Sequence, residues 1–146
     1  MNFEKITALV AAQLDAALPG GNPWKGNVTA AVADPKETGS ATFAVVEVTG
    51  GVRDLIPGNF TMQAECRIYG QLVPTEGGWS AEDCRTFADQ LSAALVASVD
   101  ELMTPAPDVE QDWLVLGVHP TGPATMEAQR GVGYVAEVPF TLTVQF

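Results

Sequence analysis

Residues 59–69 read NFTMQAECRIY, and this stretch decides the fold. Phe60, Met62, Ala64, Cys66 and Ile68 alternate with Thr61, Gln63, Glu65, Arg67 and Tyr69. Successive side chains of a strand point to opposite faces, so an unbroken period of two predicts a strand with one face on a core. A turn-rich gap follows, then an amphipathic helix, then two more strands. The predicted class is α+β, a mixed or antiparallel sheet of about four to five strands packed against two helices.

Toward the N-terminus, residues 2–18 space Phe3, Ile6, Leu9, Val10, Leu14 and Leu18 by threes and fours, which gives a helix with one apolar stripe. Asn2 suits its N-cap and Glu4 the positive end of its dipole. Pro19-Gly20-Gly21 ends it, since proline cannot continue the ladder and glycine accepts left-handed dihedrals. The loop at 22–26 is expected to leave Trp24 exposed or half-exposed. Strands are predicted at 27–33 and 41–49, joined by the turn DPKETGS at 34–40. Gly50-Gly51 is expected to break the second strand, and a loop at 52–58 carries Arg53 and Asp54. The strand of 59–72 comes next, with Gly70 marking a bulge or the end of pairing.

Toward the C-terminus, 74–78 reads as loop and 80–103 as one helix. Ser80 can cap its first amides, Glu82 and Asp83 favour the dipole, and Trp79 is placed to staple onto Cys84. Cys84, Phe87, Ala88, Leu91, Ala94, Leu95 and Leu102 form the buried face, and Pro105 and Pro107 stop the helix. Residues 112–118 are apolar on both faces, which predicts a central strand or one covered by a neighbour. The connection HPTGPATMEAQRG at 119–131 is long for a hairpin, a length common in functional or mobile loops. The last strand, 132–146, places Tyr134, Ala136, Val138, Phe140, Leu142, Val144 and Phe146 on one face. Pro139 has no amide hydrogen and is expected at an edge or a bulge.

The 146 residues fit a single domain spanning 1–146, and an apolar share of 47% supplies a core. No apolar run approaches the ~20 residues of a membrane span. The opening residues lack the basic and then apolar blocks of a secretory leader, so synthesis in the cytoplasm is expected. The formal charge of −11, from 18 acids against 7 bases, argues against binding nucleic acid through its phosphates. An acidic wall would instead let DNA slide past, although solubility alone also accounts for the charge.

No catalytic motif emerges. Cys66 and Cys84 lack the spacing of a metal site and read as buried free thiols. His119, the one histidine, has no nucleophile beside it and reads as solvated. Glu47, Glu65 and Glu137 fall on polar strand faces, where solvated or intersubunit carboxylates are expected rather than a catalytic pair. Gly50-Gly51 and Gly131-Val132-Gly133 lack the lysine of a phosphate loop. The reading is of a protein that is not an enzyme, with no catalytic, metal or cofactor site. A sheet edge that must be covered remains, and assembly with copies of itself would cover it.

One family shows this order of elements. An N-terminal helix with Ile6, Leu9, Leu14 and Leu18 precedes strands and the capped helix AEDCRTFADQLSAALVASVDELM. A strand pair around a long loop then ends in GVGYVAEVPFTLTVQF. Together these resemble the tail terminator and tail-completion proteins of long-tailed, lambda-like bacteriophages. The resemblance implies a structural virion protein of the tail and neck, made in the host cytoplasm. It implies a ring, a homohexamer, that caps the finished tail tube, ends its polymerisation and joins it to the head. The implied partners are other copies of the chain, the tail tube protein and the head–tail connector protein. Genome DNA would pass the lumen without specific binding, and no cofactor is needed. Arg53, Asp54, Glu127 and Arg130 are then candidates for contacts between subunits or with partners, and they read equally well as solvated loop charges. Alternatives are another head–tail joining protein, a tail tube protein, or a generic soluble binding module.

Overall fold

The fold is seen in a computed structural model that describes residues 3–30, 42–56, 61–103, 113–130 and 133–145, with backbone alone for residue 3 and for 52–56. Helix α1 (Phe3–Ala17) leads to strands β1 (Val28–Thr29), β2 (Phe43–Ile56) and β3 (Thr61–Leu72). Helices α2 (Pro74–Gly77), α3 (Ala81–Ala97) and α4 (Val99–Met103) follow, then β4 (Leu114–Pro120), β5 (Thr125–Gln129) and β6 (Gly133–Gln145). The strands form one sheet in the order β1-β2-β3-β6-β4, with β5 also paired to β6. Among the described strands only β1 and β2 run parallel, so the sheet is mixed and the class is α+β.

The period-two stretch lies at the centre of that sheet. Ile68 sits between Val46 on β2 and Val138 on β6, and Cys66 between Val48 and Phe140. Ala64, Cys66, Ile68 and Leu72 are buried, which is why this face carries no charge. Against it pack the α1 stripe of Ile6, Val10, Leu14 and Leu18 and the α3 face of Cys84, Ala88, Leu91, Ala94 and Leu95. Both cysteines are free and buried.

Helix α3 starts as its sequence dictates. Asp83 N donates to Ser80 Oγ at 3.1 Å, and Ser80 N donates back to Asp83 Oδ2 at 3.0 Å. Trp79 packs against the core cluster that includes Cys84 and meets the Phe87 ring edge-on, with centroids 5.7 Å apart. Cys84 is turned wholly into the core, while the Phe87 ring offers the edge-to-face geometry aromatic pairs favour. The predicted helix of 80–103 is in fact two. Buried Ser98 interrupts it, with its hydroxyl donating to Ala94 O at 2.7 Å and to Gln13 O at 3.3 Å, which ties α1 to the junction. The stretch read as loop at 74–78 contains the short helix α2.

Trp24 overturns the expectation of exposure: it is the largest fully buried side chain. Its loop folds inward because its polar groups find partners. Asn22 Oδ1 accepts from Trp24 N at 3.0 Å, and Asn22 Nδ2 donates to Gln90 Oε1 at 2.9 Å. Lys25 Nζ donates to the carbonyls of Asp15 (3.0 Å), Ala16 (3.3 Å) and Leu18 (2.8 Å), where α1 has no basic residue of its own. The indole N–H donates to Gln71 O at 3.0 Å. Gly70 is therefore no bulge. It pairs in register with Ala44 and Ala136, and a Cβ there would stand 2.9 Å from Trp24 Cζ2.

Three more expectations are corrected and one is narrowed. Gly50-Gly51 bends β2 without ending it: the register shifts there, Gly51 takes φ +65°, and pairing resumes through to Ile56. Strand β4 is not central: among the described strands it pairs with β6 alone, and helices α3 and α4 contact it, in keeping with the alternative of a strand covered by a neighbour. The 119–131 connection is not loop throughout; it holds the end of β4 and all of β5, both lying along β6. Pro139 sits inside β6, an interior strand, rather than at an edge or bulge. Its carbonyl accepts from Thr121 N at 3.0 Å, so its imide nitrogen faces the same side. That side is the gap between Pro120 and Thr125, where β4 has stopped and β5 has not begun, so the missing hydrogen removes no bond from the β4–β6 or β5–β6 ladder.

Several expectations fall outside the described residues: the Asn2 cap, the 34–40 turn, the starts of the strands at 59 and 132, Pro105, Pro107 and Phe146.

Candidate functional site

The sheet face turned away from α1 and α3 carries the charged residues. On adjacent strands β2, β3 and β6 it places Glu47, Arg67 and Glu137. Arg67 Nε donates to Glu47 Oε1, and Nη1 donates to Glu137 Oε1 at 2.8 Å. The guanidinium carbon also lies 5.3 Å from the centroid of the Tyr69 ring. Glu47 and Glu137, two of the three carboxylates weighed as a catalytic pair, are thus bridged by one cation. With side-chain exposures of 27–43%, this ladder is screened by water and is worth up to about 1 kcal/mol per pair. Such an arrangement locks strand register. It offers neither the separated acid and base of a hydrolase nor a free nucleophile. The face is not wholly polar, since Phe43, Val45 and Val135 are buried on it.

Glu65 is exposed and its side chain lies over Gly51, where any Cβ would collide with it at 2.8 Å. His119 is exposed on β4 opposite Thr141, a strand position rather than a loop. Among the described residues no group of His, Cys, Asp and Glu is arranged to hold a metal ion. No helix there is long and apolar enough to cross a membrane. Burial raises the Cys66 thiol to about 12 and also raises Cys84, so both stay protonated and inert.

The four contact candidates do not form one cluster. Arg53 and Asp54 lie on β2 beyond its bend, in register with Gln63 and Met62 of β3. Glu127 is exposed on β5 opposite Val135, and Arg130 is exposed in the turn that follows. Gln63 faces Thr143 of β6, so the two pairs are separated along that strand by the span from 143 to 135, roughly 26 Å at ~3.3 Å per residue.

Strand β5 is the feature that sequence reading missed. Its residues TMEAQ hold no proline, glycine or lysine, and its register with β6 has no shift. Strand β4 is guarded differently, by a shift at Leu116 between Val115 and Gly117 and by Pro120. Because Pro139 O points toward the β4–β5 side, strand alternation directs Glu137, Val135 and Gly133 there too. Their partners Thr125, Glu127 and Gln129 bond inward. Met126 and Ala128 then turn their backbone N–H and C=O outward, along an edge that no described strand pairs. Thr125, Glu127, Ala128 and Gln129 are all exposed. Short-range alternation could have revealed β5, but the prolines and glycine before it obscured the pattern.

No protein-family model matches the chain, and a search of curated proteins finds no matching relative.

Proposed function

We propose that the chain is a structural virion protein that forms a ring on the phage tail tube, ends its polymerisation and joins it to the head connector. The observation that carries the reading is the outer edge of β5, which no described strand pairs and which lacks lysine, proline and bulge. Natural sheets blunt exposed edges with short strands, charges, proline, bulges or covering elements; β5 is short and carries one charge, Glu127, but no lysine, proline or bulge. An extended segment pairing with Met126 and Ala128 would gain main-chain hydrogen bonds without disturbing β6. In the proposed ring the neighbouring copy or the tube supplies that segment. The separation of Arg53 and Asp54 from Glu127 and Arg130 suits a subunit that meets different neighbours at its two ends. The acidic balance, −11 overall, suits a channel that DNA passes without sticking. Such a protein acts by shape.

The test is Ala128→Pro, which removes an outward N–H while leaving the inward β5–β6 bonds. Ala128→Thr, which keeps the N–H and favours strands, is the control. The proline variant should stay folded by circular dichroism yet fail to assemble on tail tubes, and the threonine variant should assemble. Assembly by a folded Ala128→Pro protein would remove the edge from the account. Long tubes grown from the wild-type chain alone would identify a tube protein instead.

A further inference from the structure

We draw no further inference here: the strongest candidate, the open groove between helix α3 and the β4–β5 connection walled by Arg85, Asp89, Val96 and Pro123, is an unpartnered surface and nothing in the structure shows what covers it.

Discussion

Gly70 and Trp24 form a mechanical pair, and substituting both tests the packing more sharply than either alone. A methyl added at Gly70 would meet Trp24 Cζ2 at 2.9 Å, Trp24 Cε2 at 3.1 Å and Leu91 Cδ1 at 3.3 Å. The indole cannot swing aside, because its N–H is held by Gln71 O and it has no exposed surface. Overpacking of this kind costs about 1–3 kcal/mol. Against it stands a gain of about 0.4–1 kcal/mol from the reduced freedom of the unfolded chain. The clash wins, and Gly70→Ala should destabilise by about 1–2 kcal/mol, with the melting temperature falling by ~2–4 °C for each kcal/mol. Trp24→Ala alone should cost about 3–5 kcal/mol through the lost ring and the cavity. In the double variant the new methyl occupies space the ring has left, so Gly70→Ala should become neutral or stabilising there. The coupling should then exceed about 1 kcal/mol in a urea-denaturation cycle followed by far-ultraviolet circular dichroism. Additive effects within about 0.5 kcal/mol would show that the ring does not rest on Gly70.

Three further outcomes are expected. Ser80→Ala removes one half of the reciprocal cap on α3 and should lower stability by about 1 kcal/mol in the same denaturation assay, with Ser80→Thr largely preserving it. Arg67→Ala leaves Glu47 and Glu137 without their shared cation and should cost about 1 kcal/mol at low salt, a penalty that shrinks toward ~1 M salt. The Cys66 thiol holds its proton to about 12 when folded and loses it near 9.0 when unfolded. The folded state therefore binds the proton more tightly; its advantage is complete below 9.0 and drains as pH climbs toward about 12. Cys66→Ala should flatten that alkaline fall, and labelling of the native thiol should proceed only as fast as the chain opens.

The sheet core was legible because its signals are local and strong. Period-two burial marked β3 and β6, spacing by threes and fours marked α1 and α3, and the Ser80–Asp83 cap fixed where α3 begins. What was not legible depends on contacts distant in sequence. Trp24 is buried by Asn22 reaching Gln90 and by Gln71 receiving the indole N–H, partners 68 and 47 residues away. Pro139 escapes the edge rule because β4 and β5 leave a gap opposite it, a fact held in residues 120–125 and not beside the proline. Gly50-Gly51 carries the same composition whether a strand stops or bends; pairing of β3 beyond the bend decides for bending. At the candidate site, the exposed charges of Glu127 and Arg130 were visible in sequence, while the strand bearing Glu127 was hidden behind HPTGPA.

Termination of tube growth can be watched by electron cryomicroscopy of growing tail tubes mixed with the purified protein. Closed rings should be seated at one tip, on tubes that no longer lengthen. Tubes that keep growing beside unassembled single copies would contradict the proposed function.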